Sequence, residues 1–273
     1  MFDRAAARYD DFAALYQEVG RRLLERCGHA RREPGRILDL GCGTGLAAAD
    51  LKRQYRKAQV IGVDRSAAML AQLKRRSSIL RPLRGVCGDI GALPFPRACA
   101  DLLFANLAVP WAADRGRVFD EFRRLLRPGG LLLFSTFGPS TLQELDRLGA
   151  DLERPEFPDL LAIGDALVAA GFREPVMDME RLTLEFRSLD DLVGEVEATG
   201  AALLVGGWQC WASDPVALER AHGLLGQQGK YPLGFEIVYG TAFGPEEGQP
   251  RRTAGGEEAT FSVDSLLKSR RIR

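Results

Sequence analysis

The chain has 273 residues, 46% of them hydrophobic, enough to bury a full core in one elaborated domain or one domain with an appendage. Its 37 basic and 37 acidic residues cancel, so no overall field argues for binding nucleic acid or a membrane surface. No apolar run approaches the ~20 residues of a membrane span, and the charged opening from Met1 to Asp10 lacks the apolar centre of a secretory signal.

Phe2 to Cys27 reads as a helix, with Phe12, Leu15, Val19, Leu23 and Leu24 making one apolar stripe. It either packs over a sheet or places Tyr9 and its neighbours as a lid over a pocket. Gly28 to Gly35 is the turn into a first strand, where Ile37, Leu38 and Leu40 are apolar and Asp39 interrupts them. Gly41, Gly43 and Gly45 then give the freedom for a tight turn, and Leu46 to Tyr55 reads as a helix. Such a turn lies at the carboxyl end of a parallel strand, where open α/β sheets bind ligands. The spacing is Gly-x-Gly-x-Gly, not the dinucleotide fingerprint Gly-x-Gly-x-x-Gly. With Asp39 two residues ahead, the segment resembles the first motif of class I methyltransferases that use S-adenosylmethionine. That cofactor calls for close backbone approach and an acid near its ammonium group.

A second strand, Gln59 to Val63, ends at Asp64, which fits the ribose-binding acid of such folds, against the plainer reading of a surface strand end. Ser66 is placed to cap the helix Ala67 to Arg76. The third strand, Leu83 to Cys87, leads into Gly88-Asp89-Ile90, and Asp89 is either the acceptor for the adenine amine or a turn residue. Asp101 to Leu107 is the central fourth strand. At its end Asn106 is a candidate donor to the pocket, and Trp111 either packs over adenine or caps a helix. Arg117 to Leu126 is a helix ended by Pro128-Gly129-Gly130, and Leu131 to Phe134 is the fifth strand. A short helix at Ser140 to Leu148 precedes a proline-containing loop over 150–160, and Ile163 to Ala170 is the next helix, closed by Gly171. Pro175 to Phe186 and Phe235 to Phe243 read as hairpin strands. Between them Leu189 to Gln228 is mostly helical, with a break at Gly206-Gly207-Trp208. Gly244 to Gly256 reads as a mobile loop or tail, Phe261 to Leu267 as a weakly docking segment and Lys268 to Arg273 as a basic end. Cys27, Cys42, Cys87, Cys99 and Cys210 are scattered without Cys-x-x-Cys spacing, as expected of reduced thiols in a cytoplasmic protein. With only His29 and His222 beside them, no metal site is expected.

Five strand–helix units with acids after strands one, two and three are similar throughout to class I methyltransferases. Longer phrases narrow the resemblance: Phe2-Asp3-Arg4-Ala5-Ala6 with Tyr9-Asp10, Asn106-Leu107-Ala108 before Trp111, and Phe134-Ser135-Thr136-Phe137-Gly138-Pro139. Thr141-Leu142-Gln143-Glu144-Leu145, Ala170-Gly171-Phe172, Pro175-Val176-Met177-Asp178-Met179-Glu180 and Glu236-Ile237-Val238-Tyr239-Gly240 belong with them. On these the chain resembles, over nearly its whole length, the malonyl-[acyl-carrier protein] O-methyltransferases of early biotin synthesis.

The resemblance implies a Rossmann-like, seven-stranded, mostly parallel sheet with an antiparallel C-terminal hairpin and helices on both faces. It implies one domain over 1–243, with a helical lid (1–30) and a helical insertion (189–228), followed by a flexible tail (244–273). It implies methylation of a malonyl thioester on acyl carrier protein, with S-adenosylmethionine as donor and S-adenosylhomocysteine as product. A malonyl carboxylate is ionised at pH 7, so no acid or base is assigned as catalytic. Asp39, Gly41, Gly43, Gly45, Asp64, Asp89 and Asn106 are the expected cofactor residues. Tyr9, Trp111 and Phe137 are candidates for the acceptor pocket, and Arg4, Arg8, Arg147 and Lys230 for the cation that orients the carboxylate. Acyl carrier protein is acidic, and the pairs Arg75-Arg76, Arg123-Arg124 and Arg251-Arg252 are candidate pieces of a basic patch facing it.

The chain departs from the family in two places. Val109-Pro110-Trp111 stands where the family reads Leu-Gln-Trp, and Arg154-Pro155-Glu156-Phe157-Pro158 replaces its His-Val-Asn and Met-His elements over the expected acceptor pocket. Two alternatives follow: a methyltransferase acting on another carboxylate or small molecule, and a cofactor-binding assembly factor or arginine-modifying relative.

Overall fold

A computed structural model describes residues 6–112, 115–148, 152–226, 229–245, 251–253 and 256–258. Seven strands form one sheet, β1 (Arg36–Leu40), β2 (Gln59–Asp64), β3 (Leu83–Cys87), β4 (Ala100–Ala105), β5 (Leu126–Phe137), β6 (Arg173–Phe186) and β7 (Tyr231–Phe243). Their order is β3-β2-β1-β4-β5-β7-β6. The first five pair in parallel, and β7 runs antiparallel between β5 and β6. The helices are α1 (Tyr9–Phe12), α2 (Ala14–Glu25), α3 (Leu46–Gln54), α4 (Ala67–Arg76), α5 (Arg115–Leu125), α6 (Leu160–Ala169), α7 (Leu189–Ala198), α8 (Trp208–Ala212) and α9 (Pro215–Leu225).

The centre of the sheet is buried on both faces, which is why β1 and β4 read as nearly unbroken apolar runs. Successive strand side chains alternate between faces. Ile37 therefore joins a core with Leu15, Val19, Leu23 and Leu51. Leu38 and Leu40 join a second core with Phe122, Phe134 and Leu167. The same alternation sends Asp39 to the face covered by α2 and α3.

The sheet and its antiparallel hairpin agree with the sequence expectation, and α7, α8 and α9 lie between the hairpin strands. Ser66 caps α4, its Oγ accepting from the Met69 N–H at 3.1 Å. Local boundaries differ. The single helix expected over Phe2 to Cys27 is broken at Ala13 into α1 and α2, and the chain continues as a 3-10 turn, Arg26–His29. Pro128-Gly129-Gly130 does not end α5, which stops at Leu125. Those residues run inside β5, because Gly129 N–H donates to Gly244 O (3.0 Å) and Gly244 N–H to Gly130 O (2.9 Å), drawing them into the sheet. The short helix expected at Ser140 to Leu148 is a 3-10 turn over Gln143–Arg147. Within the expected tail, β8 (Arg251–Thr253) pairs with β9 (Gly256–Glu258), while Phe261 to Arg273 lies outside the described residues.

Candidate active site

The carboxyl ends of β1, β2, β3 and β4 surround two adjoining clefts of about 530 and about 500 Å³. Tyr9, Tyr16, Gly41, Gly43 and Asn106 border both. The first cleft runs past Asp64, Ser66 and Asp89 on one side and Trp111 and Leu203 on the other. The second runs under α2 past Asp39, Cys42 and Thr44.

The glycine turn is held by backbone. Gly41 and Cys42 N–H both donate to Val63 O, at 2.8 and 2.9 Å, which ties the β1 loop to β2. Gly43 N–H donates to Asp64 Oδ2 at 2.9 Å, and Ser66 N–H to Asp64 Oδ1 at 2.8 Å. Gly43 has φ +53°, and a Cβ there would meet nothing within 4 Å, so its missing side chain leaves open the space where the two clefts meet. Gly45, at φ +84°, instead packs against Leu73 where α3 begins.

Asp39 is only 1% exposed. Burial, then the nearby Asp64 charge, pushes its carboxyl up to about 7, against one N–H from Ala48 that favours the ionised form. Its Oδ2 is buried with no hydrogen-bond partner among the described residues. Asp89 accepts from Gly91 N–H at 2.8 Å and has Arg65 3.6 Å away. These residues fit S-adenosylmethionine. A cationic amino acid head answers the orphaned Asp39 oxygen, a bare glycine backbone admits close approach, and acids stand at the ends of β2 and β3.

Asn106 lines both clefts, yet both ends of its amide are engaged. Its Nδ2 donates to Tyr16 O at 2.8 Å and its Oδ1 accepts from Ser135 Oγ at 2.8 Å, so it joins α2 to the ends of β4 and β5. Of the candidates for the acceptor side, Tyr9 lines both clefts and Trp111 lines the first. Phe137 lines neither. It is buried against Phe157 and Phe235, with ring centroids 5.3 and 6.2 Å away. Arg8 is exposed beside Asp11 and Phe12, Arg147 is exposed on its turn, and Lys230 is exposed and paired with Glu185, so none of the three lines either cleft. Arg4 lies outside the described residues. The 152–158 segment, expected over the acceptor pocket, turns elsewhere. Arg154 is anchored to Asp146 and Pro139 O, while Phe157 and Pro158 border a separate apolar cavity of about 180 Å³.

Sequence reasoning passed over Tyr16, Thr44 and Leu203. Tyr16 follows Tyr9 by two helical turns, a spacing that was available as a signal. Leu203 comes from the helices between β6 and β7, whose docking no local pattern encodes. Asp10, expected only as part of a phrase, is a tether. It accepts from Thr44 Oγ1 at 2.6 Å and pairs with Arg76, whose Nε also donates to Thr44 O at 2.9 Å.

This sheet order, with a glycine turn and an acid at each of the first three strand ends, defines a class I, S-adenosylmethionine-dependent methyltransferase. The methyltransferase-domain family profile matches residues 38–134. A solved structure described as a putative methyltransferase from Bacillus halodurans superposes with a TM-score of 0.59 at 16% identity, over 82% of this chain and 98% of that one. Sequence relatives carry the relationship further. The malonyl-[acyl-carrier protein] O-methyltransferase of Halorhodospira halophila is 39% identical over 99% of this chain and 94% of its own length. That of Gallionella capsiferriformans is 40% identical over 96% and 95%. The chain belongs to the malonyl-[acyl-carrier protein] O-methyltransferase family.

Proposed function

We propose that this chain transfers a methyl group from S-adenosylmethionine to the free carboxylate of a malonyl thioester carried on acyl carrier protein, as its relatives are named for doing. The observation that carries this reading is relatedness of 39% identity over 99% of the chain, well beyond the cofactor motif.

When bound, S-adenosylmethionine supplies an electrophilic sulfonium methyl. Asp39 meets its ammonium group, the Gly41–Gly45 backbone approaches its amino acid portion, Asp64 accepts from the ribose hydroxyls and Asp89 from the adenine amine. Tyr9, Trp111 and Leu203 exclude water from the acceptor side, which strengthens every polar contact inside. The acceptor is already an anion and needs no base, so orientation is the main catalytic contribution. Masking the carboxylate as a methyl ester makes the acyl chain apolar at its free end. A cytoplasmic location belongs to the same reading, and five free cysteines support it, three buried and two exposed.

The test uses purified full-length protein with labelled S-adenosylmethionine. Methyl transfer to malonyl-acyl carrier protein, with little to acetyl-acyl carrier protein, is expected. Cofactor binding without transfer to the malonyl thioester overturns the reading.

A further inference from the structure

A carrier protein cannot enter clefts of about 530 and about 500 Å³. Only its thioester goes in, and the carrier itself has to rest on the surface beside them. One stretch of that surface is set apart by charge. From Arg65 to Gly88, across α4 and β3, the neutral chain carries six basic residues and no acid. Arg65 and Arg76 are paired, with Asp89 and Asp10. Lys74, Arg75, Arg81 and Arg84 are exposed and have no acidic partner among the described residues. Other basic pairs are answered within the chain. Arg124 is paired with Glu121, and Arg251 and Arg252 stand in register with Glu258 and Glu257.

The same stretch displays apolar groups. Ser78 and Arg81 exchange backbone hydrogen bonds of 3.2 and 3.1 Å, closing a tight turn whose central residues are Ile79 and Leu80. Ser77 Oγ accepts from Leu83 N–H at 2.9 Å and fixes the turn to the start of β3, an edge strand of the sheet. Ile79 is 99% exposed and Leu80 91%, the two most exposed large apolar side chains among the described residues. Tips of tight turns favour Gly, Asn, Asp or Ser, so the turn itself does not account for an Ile-Leu pair. An ordered apolar tip among unpaired cations suits contact with an acidic partner.

The patch adjoins the site. Arg65 and Met69 of α4 line the first cleft. Further along α4, Leu73 packs against Gly45, and Arg76 Nε donates to the carbonyl of Thr44, which lines the second cleft. Ile79 follows Arg76 by three residues and so lies within ~11 Å of it, Cα to Cα.

We propose that the Ile79–Leu80 turn and the cations Lys74, Arg75, Arg81 and Arg84 form the surface on which acyl carrier protein docks. The inference rests on the malonyl-thioester reading above and deepens it by naming where the partner sits. The acidic carrier answers the cations, which steer its approach and fix its register. Its contact covers Ile79 and Leu80, and its thioester reaches past α4 into the clefts.

The experiment compares wild type with the double variant Arg75→Glu, Arg81→Glu and with Leu80→Ser, all full-length. KM and kcat are measured on malonyl-acyl carrier protein, and affinity is measured for the unacylated carrier. These side chains are exposed and line neither cleft, so cofactor affinity and melting temperature should match wild type. The double variant should raise KM about tenfold with kcat within about twofold, and weaken the unacylated carrier by a similar factor. Leu80→Ser should raise KM severalfold. Sodium chloride raised from about 0.05 to about 0.3 M should increase the wild-type KM severalfold and that of the double variant less. Variants with wild-type KM and wild-type affinity for the unacylated carrier overturn the docking surface alone. Binding to phosphatidylglycerol vesicles that the double variant loses, with its KM for the carrier unchanged, assigns the patch to a lipid surface and also overturns it. A wild type inert on malonyl-acyl carrier protein overturns the reading beneath it.

Discussion

Asp39 is the residue whose chemistry is most exposed to test. Buried in β1 beside Asp64, its carboxyl is raised from 3.8 to about 7. The folded state therefore holds a proton that the unfolded chain has released, and stability falls as pH rises from about 4 to 7. The full effect at pH 8 amounts to as much as about 4 kcal/mol, at ~1.4 kcal/mol per pK unit. Asp39→Asn removes that penalty, so thermal scans of cofactor-free protein should show the variant melting several degrees above wild type at pH 8 and level with it near pH 4. The same substitution should weaken S-adenosylmethionine at least tenfold, since a charged hydrogen bond to the ammonium is lost. A variant that melts lower at pH 8, or binds cofactor equally well, contradicts this account. Gly43 gives a second test of the same site. Gly43→Ala places a methyl in the open junction of the clefts and forces an L residue to φ +53°, a local cost of roughly 1–2 kcal/mol. The variant should fold with a slightly lowered melting temperature yet lose most of its cofactor affinity by titration. Both residues were legible from the sequence, because a glycine at a positive φ and an acid inside an apolar strand are local signals. Leu203 was not, because what brings it to the cleft is the docking of the helices between β6 and β7, which only the packed structure reveals.

At the scale of elements, α1 and α2 act as one cover over the glycine turn, fastened by a few named contacts. Asp10 accepts from Thr44 Oγ1 and pairs with Arg76, while Asn106 holds the Tyr16 carbonyl from the opposite side. The fastening bonds end on the glycine turn itself, so the state of the cover and the shape of the cofactor cleft are coupled. Asp10→Asn weakens an ion pair that is partly open to solvent, a local cost of roughly 0.5–1 kcal/mol. Hydrogen exchange across Tyr9–Glu25 should quicken severalfold in that variant while the amides of β1 and β4 keep their protection. Exchange unchanged in α1 and α2 would mean that the apolar stripe of Leu15, Val19 and Leu23 alone holds the cover. That stripe was plain in the sequence, and so were the parallel strands, because periods of 3.6 and 2 are properties of neighbouring residues. The break at Ala13 and the entry of Pro128-Gly129-Gly130 into β5 were not. The second depends on Gly244, more than a hundred positions away. Phe137 misled for a related reason. It follows a strand end that faces the cleft, but its ring turns into the aromatic cluster with Phe157 and Phe235.

Across the whole molecule, the first helices are strapped to the last strands. Arg22, Arg26 and Arg31 pair in turn with Glu180, Asp178 and Glu174 along β6, the last two at 2.7 and 2.6 Å. The straps are reinforced by aromatic faces. The Arg26 guanidinium lies 4.0 Å from the centre of the Tyr239 ring, Arg31 lies 4.2 Å from that of Phe243, and the Tyr239 hydroxyl donates to Glu180. A chain with no net charge thus spends several of its charges on joining α2 and the turn after it to the edge strand β6. Single exposed pairs contribute about 0.2–1 kcal/mol each, but three in a row share the ordering of one interface. The triple variant Glu174→Gln, Asp178→Asn, Glu180→Gln should lose roughly 1–3 kcal/mol of unfolding free energy and melt a few degrees lower in dilute buffer. Because exposed pairs are screened within about 3 Å at 1 M salt, the gap between wild type and variant should narrow as sodium chloride rises. A variant that melts with wild type in dilute buffer would assign the strap to the stacking of Arg26 and Arg31 on Tyr239 and Phe243, which all three substitutions leave in place.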